Sequence, residues 1–542
     1  KRVADFKYEI GVFFLYVASR LPALGYDTFN TDVWKWKQRI YDFGTGVFTG
    51  NFEMTIQKYH PGVTLMWIGS VAVKIFNGFY KITTGVLPRD NNINHVFELN
   101  FVQKLLIVLV TGVLIAFIFS LLRKLFSLQL AFIATALFVL EPFYVFLSRE
   151  IHLEGIMTTF IIASIISLFA FIKENGTRHL LYSGVLAALA VLTKSSAAIL
   201  LPYTGLMLLV LGLSRAKNFK YVLINVAKWF GVWLAVFIVS YFVFWPAMWS
   251  ASSKAIQTVM SGVFDTGIEE GHIQLYFGQL VKDPGYLYYF VVLWLRSSLY
   301  LLAGLVLLPF IFKKLDTNRQ EFALTMLIFS IVSVIEMMVP SKKLDRYILP
   351  TLISLVLVAG VVFDNLISKF QQSFNQEKYK YIWSVIFFVP AIFILSYLHP
   401  NYSSYYNPLA GGLKSGMHII EPKWIFGQYE LYKELEKIKI EDNLKGFEGS
   451  SMKKLYYKPI LKEKLIVSFP VQYFSQLYPF VYQLDGWPTI DTIRDDARQS
   501  NYFVYPTWNL VSDAFEKYSL EYRSTVYLRG VPIYNIYNRG SN

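Results

Sequence analysis

The residues that could carry out chemistry in this sequence stand beside long apolar segments. Asp32 follows one such segment within TFNTDVWKWKQR (28–39), and Glu154 lies in SREIHLEG (148–155), directly before another. A carboxylate at a membrane boundary is costly, so it indicates a functional role by default. Two plainer interpretations stay open at this point. Asp32 would then be a solvated loop acid, and Glu154 would pair with Arg149 as a structural ion pair.

Basic residues cluster in PSKKLDRYILP (340–350), a short stretch between two apolar segments. If this loop lies outside, as the topology below predicts, its charges break the positive-inside rule and indicate an anionic ligand. Phosphate is the natural ligand of Arg and Lys. Lys194, which interrupts another apolar stretch, is a similar exception. The alternative is that these charges only reach solvent or lipid headgroups. The basic residues of the loop are Lys342, Lys343 and Arg346.

The histidines and the motifs that the sequence lacks limit the kinds of reaction that the site could support. His60, His152 and His272 fall near the same loops; each alone is more often structural, but together they favour a site. The sequence has no G-x-x-x-x-G-K-[ST] or G-x-G-x-x-G motif, so ATP-driven transport and dinucleotide chemistry lack support. It also has no Asp-x-Asp pair and no zinc-like spacing of His and Glu. No cofactor is assigned, although a divalent metal held by distant loops stays open.

The composition is that of a membrane protein. Hydrophobic residues make up 55% of the 542 residues and charged residues only 16%, against about 25% charged in soluble domains. The net charge of +14 does not indicate nucleic-acid binding, because the segment 399–542 is nearly balanced. The excess lies among the apolar segments, where basic residues orient loops and meet anionic lipids.

Eleven apolar segments are predicted to be transmembrane helices, since a crossing needs about 20 apolar residues. Dividing the long stretch 180–213 at Lys194 places the most basic loops on one side, with the N-terminus in the cytoplasm. The C-terminus is then outside. Because the sequence begins at Lys1, we expect further residues before it. The predicted spans are 6–25, 101–122, 128–147, 153–172, 180–193, 195–213, 224–246, 288–312, 321–339, 347–367 and 381–398.

The predicted fold is an all-α polytopic membrane region followed by a small extracytoplasmic α+β domain. The segment 61–82 is apolar but contains Lys74 and Lys81, which favours a helix lying on the membrane surface. The outer domain is expected to have a helix near 426–440 and strands at LIVSF, YFVYP and VPIYNIY. The predicted parts are a membrane region 1–398, with a first outer loop 26–100 and a second outer loop 247–287, and a soluble domain 399–542.

Eight features follow one another along the sequence. They are Asp32, YHPGVTLMW (59–67), SREIHLEG (148–155), VLTKSSA (191–197), FWPAMW (244–249), EGH (270–272) with DPG (283–285), KKLDRYILP (342–350) and SYYNPLAGG (404–412). In this order they resemble the GT-C superfamily of membrane glycosyltransferases, in particular its protein O-mannosyltransferase and aminoarabinose transferase branch. Each motif alone is weak, but their shared order along most of the membrane region makes coincidence a poor explanation.

The resemblance implies a multi-pass protein of the cell membrane with its active site at the outer face. Such an enzyme moves a sugar from a polyprenyl-phosphate carrier to a hydroxyl and inverts the anomeric centre. Asp32 corresponds to the catalytic acidic residue of the family, and Glu154 to the acidic residue of the second outer loop. The sequence departs from the pattern at Val33, where relatives usually have Glu, which puts acceptor or metal contacts there in doubt. No β-trefoil insertion is evident, so a protein acceptor is less secure.

Elementary chemistry agrees with this assignment. The leaving lipid phosphate gains negative charge as the sugar departs, so cations there stabilise the transition state more than the ground state. A hydroxyl becomes a good nucleophile when a base such as the Asp32 carboxylate takes its proton. The phosphate-binding candidates are Lys342, Lys343 and Arg346, with Lys194 and His272 as second contributors, and Arg39 and His60 are further first-loop candidates.

Two other functions compete with this one. A flippase or transporter of lipid-linked saccharides would share the basic site and the many spans. Transporters usually show paired halves and broken helices near mid-membrane, whereas the polar groups here gather at one face. A non-catalytic membrane subunit is the second alternative. The acceptor stays open among protein, lipid and envelope glycan, and the sugar and the oligomeric state also stay open.

Overall fold

The structure, a computed structural model, describes residues 6–88, 95–213, 218–268, 271–373, 383, 385–446, 463–493, 497–508 and 514–540. Helices dominate up to residue 398, and a mixed sheet with helices follows. The helices are α1 (Lys7–Ala18), α2 (Val33–Thr49), α3 (Val63–Thr84), α4 (Val96–Leu125), α5 (Leu128–Leu140), α6 (Pro142–Leu147), α7 (Glu154–Glu174), α8 (Thr177–Thr193), α9 (Leu200–Leu213), α10 (Phe219–Phe244), α11 (Ala247–Ser250), α12 (Ser252–Ile268), α13 (Tyr288–Arg296), α14 (Leu299–Ile311), α15 (Thr317–Met338), α16 (Leu349–Ser373), α17 (Val389–Leu398), α18 (Gly412–Ile419), α19 (Gln428–Glu441), α20 (Val471–Gln483) and α21 (Ala514–Lys517).

The chain is a multi-pass membrane protein. Seven of the described helices are long and apolar enough to cross a membrane, or eight when the bent pair α13 and α14 counts as one crossing. The shorter apolar helices α5, α8 and α17 also occupy predicted spans. The predicted fold class is confirmed. The number of eleven crossings stays a prediction, as does the surface position of α3.

Two predicted spans differ from the observed helices. The span 6–25 forms a helix only as far as Ala18, because the chain turns before Arg20, whose guanidinium is buried over the ring of Tyr16. The span 288–312 is broken by a bend of 112°. At the break, Ser298 caps α14, and its backbone N–H and hydroxyl donate to the Glu141 carboxylate over 2.9 and 2.6 Å.

Lys194 separates two helices, as predicted. Its backbone is extended, with φ −151° and ψ 131°, so α8 ends at Thr193 and a short 3₁₀ turn, Ser195–Ile199, leads into α9. The segment that precedes α7 is also irregular, and α7 itself is completely enclosed by its neighbours along its apolar window. Both irregular segments therefore present polar side chains at one end of a closely packed helix bundle.

The C-terminal region contains a five-stranded sheet in the order β4-β3-β5-β7-β6. Strand β3 is parallel to β4 and β5, and the remaining pairs are antiparallel. The predicted helix near 426–440 and the three predicted strands are confirmed. The boundary at 398–399 stays a proposal. The strands are β1 (Gln274–Tyr276) and β2 (Gln279–Val281), which form a separate hairpin, then β3 (Ile466–Phe469), β4 (Trp487–Ile490), β5 (Tyr502–Pro506), β6 (Leu520–Leu528) and β7 (Val531–Arg539).

Candidate active site

A polar cavity of about 360 Å³ lies at one end of the helix bundle, between the loops that join the helices and the C-terminal region. Loops that are more than 300 residues apart in the sequence contribute its walls. Of the site residues that the sequence predicted, all but one line this cavity. The residues that line it are Asp32, Arg39, His60, Glu154, Lys194, His272, Lys342 and Arg346.

Lys343 is the candidate that the structure does not bring to this cavity. Its side chain is buried, with 2% of its surface exposed. The ammonium group donates to the carboxylate of Asp283 and to the carbonyl of Pro340, both over 2.8 Å. Lys342, its neighbour in the sequence, lines the cavity instead. Lys343 therefore fastens the second loop, and Lys342 faces the cavity.

Buried charges fix the loop that carries Asp32. The Lys104 ammonium on α4 lies 3.0 Å from Glu150 Oε1 and 3.4 Å from Asp27 Oδ1. Glu150 also accepts a hydrogen bond from Asn30 Nδ2 over 3.1 Å. The side chain of Asn30 in turn accepts from the backbone N–H of Asp32 over 3.0 Å. Since breaking one partner of a buried pair is strongly destabilising, this network holds the loop in one conformation.

Asp32 stands at the N-terminal end of α2 with its carboxylate between two cations. Its Oδ2 lies 3.4 Å from His152 Nε2 and 3.2 Å from Arg346 Nη2. Burial alone would raise the pKa of Asp32, but the hydrogen bond and charge of His152 and the charge of Arg346 outweigh it and hold the pKa well below its ordinary value. The carboxylate is therefore ionised, and the two neighbours that keep it ionised also weaken it as a base.

His152 links Asp32 to Glu154. Its Nδ1 forms a close hydrogen bond with Glu154 Oε2, while Nε2 faces Asp32. Burial would lower the pKa of His152, but the charge of Glu154 and the hydrogen bonds to both carboxylates raise it overall. Trp424 packs edge-on against the imidazole, with ring centres 4.7 Å apart. The sequence pointed to His152 only as one of three histidines near the loops, although its position two residues before Glu154 in SREIHLEG was the available signal.

Glu154 begins α7 and is almost completely buried, with 1% exposed. Its Oε1 lies 3.0 Å from Lys194 Nζ and 3.6 Å from Arg346 Nε. The alternative pairing with Arg149 is wrong, because the Arg149 guanidinium lies 3.1 Å from Asp27 instead. Glu154 thus belongs to the charged centre of the cavity rather than to a separate structural bridge.

His60 and Arg39 line the same cavity from the first loop. His60 Nδ1 lies 2.8 Å from Ser195 Oγ. Burial and then the charge of Lys194 hold the pKa of His60 well below its ordinary value, so the imidazole is neutral. The guanidinium of Arg39 lies over the ring of Trp36, 4.7 Å from its centre.

The C-terminal region closes the cavity on its remaining side, which the sequence did not predict. The Tyr473 hydroxyl donates to Glu421 Oε1 over 2.9 Å. Glu421 Oε2 accepts from Lys423 Nζ over 2.9 Å and from the Leu275 backbone N–H over 3.0 Å. Glu421, Lys423 and Tyr473 all line the cavity. No motif indicates this contact, because it joins three distant segments.

A reciprocal pair of hydrogen bonds joins the C-terminal region to the first loop. The Phe29 backbone N–H donates to Gln428 Oε1 over 3.0 Å, and Gln428 Nε2 donates to the Phe29 carbonyl over 3.1 Å. Phe29 stands three residues before Asp32, so Gln428 helps to position the loop that carries it.

A second cavity, of about 330 Å³, adjoins the first and is largely apolar. It lies between the helices, with apolar walls formed by residues such as Met157, Ile161 and Phe329. Lys194 and Lys342 line both cavities. The Lys194 ammonium lies over the ring of Tyr347, 3.7 Å from its centre. Cations therefore mark the junction between a polar and an apolar cavity.

The carboxylates of the site are already paired with cations. In the part of the chain that the structure describes, no three His, Asp, Glu or Cys side chains are arranged to hold a metal ion. The geometry instead offers a carboxylate that can accept a proton and cations that can bind an anion.

Several solved structures are similar in fold. ArnT from Cupriavidus metallidurans bound to undecaprenyl phosphate is 13% identical, with a TM-score of 0.46, and the match covers 98% of this chain and 97% of that one. The archaeal oligosaccharyltransferase AglB from Archaeoglobus fulgidus, in complex with an inhibitory peptide and a dolichol-phosphate, is 11% identical with a TM-score of 0.45, covering 92% of this chain and 69% of that one.

The sequence itself gives one family match. No curated protein is significantly similar to the chain in sequence. Residues 95–245, which run from α4 to the start of the second loop, match the family model described as dolichyl-phosphate-mannose-protein mannosyltransferase. Over these residues the chain is thus similar to the membrane mannosyltransferases that its motifs resemble.

Proposed function

We propose that this protein is a membrane glycosyltransferase that moves a sugar from a polyprenyl-phosphate carrier to a hydroxyl acceptor, with inversion. One observation carries the proposal: a polar cavity with an ionised carboxylate adjoins an apolar cavity, and two lysines line both. A lipid phosphate needs such a pair of compartments, because its tail and its headgroup require different solvents.

The donor would place its prenyl tail in the apolar cavity and its phosphate at the junction. Lys194 and Lys342 would bind the phosphate there, and Arg346 would approach it from the polar side. As the bond between the sugar and the phosphate breaks, the phosphate gains a negative charge. Preorganised cations then stabilise the transition state more than the bound donor.

The acceptor hydroxyl would enter the polar cavity opposite the leaving phosphate. Asp32 would take its proton as the new glycosidic bond forms. Without a donor, the Arg346 guanidinium contacts Asp32 and Glu154. A bound phosphate would be a further anionic partner of this guanidinium and would weaken its interaction with Asp32. The Asp32 carboxylate would then be a better base. Attack from the side opposite the phosphate gives inversion.

The topology belongs to the same proposal. The N-terminus would lie in the cytoplasm, and residues 399–542 would form an extracytoplasmic domain on a membrane region that spans residues 1–398. The basic loops on the opposite side of the spans support this orientation. The active site would then lie at the outer face of the cell membrane, where a protein, lipid or glycan acceptor is available.

The test uses the full chain in lipid nanodiscs with mannosyl-phosphoryl-undecaprenol labelled in its sugar. Mannose is the probe because the matching family model names it. We expect release of undecaprenyl phosphate and transfer of label to a hydroxyl compound. Unlabelled undecaprenyl phosphate should compete for the site. A chain that neither binds nor turns over mannose, glucose or aminoarabinose donors on this carrier would exclude the proposal.

A further inference from the structure

One acidic side chain in the apolar cavity has no role in the mechanism above. Glu336 stands two residues before the end of α15 and lines that cavity together with Ser333. Its Oε2 atom is buried and has no hydrogen-bond partner. Across the described ranges, the carboxyl group also forms no ion pair. A polar group of this kind, pointing into a ligand cavity, indicates a contact that the ligand completes.

An unpaired ionised carboxylate in apolar surroundings is costly, whereas the neutral acid costs much less. The neutral form also keeps an O–H group that can donate a hydrogen bond. Lys194, which lines the same cavity, is already held by Glu154 at 3.0 Å and by the Tyr347 ring. We therefore take the acid form of Glu336 as the resting state.

The titratable and charged groups that line this cavity with Glu336 come from several elements. Each of them contributes to the charge that an incoming phosphate meets. Two are lysines, one is a histidine and three are tyrosines: Lys194, Lys342, His60, Tyr59, Tyr289 and Tyr347. Glu336 is the only carboxyl group among the residues that line the apolar cavity within the described chain.

We propose that Glu336, in its acid form, donates a hydrogen bond to the lipid phosphate, both in the bound donor and as the sugar leaves. The inference rests on the proposed function and adds a residue to it. The sugar–oxygen bond breaks, and its electron pair stays on the phosphate. The phosphate becomes a dianion, and its added charge strengthens the hydrogen bond that Glu336 donates. The acceptor proton goes to Asp32.

The proton stays on Glu336. A phosphate monoester has its second pKa at about 6, and an acid that is neutral at pH 7 does not give up its proton to so weak a base. The hydrogen bond to the dianion stabilises the leaving group more in the transition state than in the bound donor. Release of the acceptor proton from Asp32 to water then restores the starting state.

The test compares the unmodified chain with Glu336→Gln in nanodiscs, using mannosyl-phosphoryl-undecaprenol, whose phosphodiester charge is constant over the range tested. Affinity is measured between pH 6 and pH 9. Because ionised Glu336 repels the phosphate, affinity of the unmodified chain should fall by about tenfold. Glu336→Gln cannot ionise, so its affinity should lose that part of the pH dependence. Transfer at pH 7 should stay close to that of the unmodified chain, because the amide also donates a hydrogen bond.

Glu53→Gln is the matched control, since Glu53 is an exposed outer-loop residue paired with Lys254. It should keep the pH dependence and the rate. The proposal is overturned if Glu336→Gln retains the full pH dependence, or if it loses donor binding at every pH, which would assign an ionised role. If the unmodified chain binds no polyprenyl-phosphate sugar at all, the failure lies with the proposed function.

Discussion

Arg346 Nη2 lies 3.2 Å from Asp32 Oδ2, although 314 residues separate the two in the sequence. The same guanidinium reaches Glu154 through Nε at 3.6 Å and lies over the ring of Trp424 at 4.5 Å. One cation therefore connects the proposed base, the second acidic residue and the C-terminal region. A change in the charge beside Arg346 therefore alters the electrostatic environment of the Asp32 carboxylate.

Asp32→Asn tests the proposed base. The amide keeps the shape of the side chain but cannot accept the proton, so transfer should fall by about 10²-fold or more. Donor binding should be largely retained, because the lysines at the cavity junction are unchanged. Rate and donor affinity are measured on one purified variant.

Asp42→Asn provides the control, since Asp42 lies on α2 and accepts a hydrogen bond from Gln38 over 2.9 Å at the surface. Turnover of Asp32→Asn close to that of this control would remove Asp32 as the base and direct attention to Glu154. Loss of affinity and activity in equal measure would assign Asp32 a structural role.

Lys342→Gln and Lys343→Gln separate phosphate binding from loop structure. Lys342 faces both cavities, and a charge-assisted contact with phosphate is worth about 1.5–3 kcal/mol. Donor affinity should therefore fall by about ten- to a hundredfold in Lys342→Gln. Lys343→Gln should lower the thermal stability by removing the contact with Asp283, with little effect on affinity. Equal affinities for the two variants would contradict the assignment of Lys342.

The raised pKa of His152 predicts how the free energy of unfolding depends on pH. Its pKa is raised in the folded protein, so its contribution is fully present below the unfolded value of about 6.5. That contribution is lost as the pH rises through the folded value. Thermal unfolding of the purified protein from pH 6 to pH 9 should therefore show a loss of stability that His152→Gln lacks. The idea fails if both proteins lose stability in parallel across this range.

Lys104→Met tests the buried network beneath the first loop. Removing the cation leaves Asp27 and Glu150 without their shared partner, and breaking a buried ion pair costs about 3–5 kcal/mol. The variant should unfold at clearly lower temperature in detergent. Lys254→Met removes an exposed pair with Glu53 and should cost at most about 1 kcal/mol. Similar unfolding temperatures for the two variants would show that the network does not stabilise the loop.

Much of the site could be predicted because its chemistry conflicts with its surroundings. Carboxylates and lysines are costly at the ends of apolar helices, so Asp32, Glu154 and Lys194 were conspicuous in the sequence. The division at Lys194 was predictable for the same reason. Lys343 could not be distinguished from Lys342, because the sequence does not show that one lysine contacts Asp283 while its neighbour lines the cavity.

Other features depend on contacts between distant segments. The break between α13 and α14 is stabilised by the carboxylate of Glu141, more than 150 residues earlier. Hydropathy contains no information on this contact, so it predicts one continuous helix. His152 gains its role from the placement of Asp32 on one side and Glu154 on the other. The wall formed by Glu421 and Tyr473 follows from the packing of the C-terminal region against the second loop.

The hydrogen bonds between Gln428 and Phe29 also bear on biosynthesis. A ribosome makes Phe29 early and Gln428 only after nearly 400 further residues, so the loop that carries Asp32 lacks this support while the chain is growing. The cavity wall at Tyr473 is completed later still. A prematurely terminated chain that inserts into the membrane would hold its acidic and basic residues without a finished cavity. A complete cavity, and with it the proposed transfer of sugar, therefore requires that synthesis has passed Tyr473.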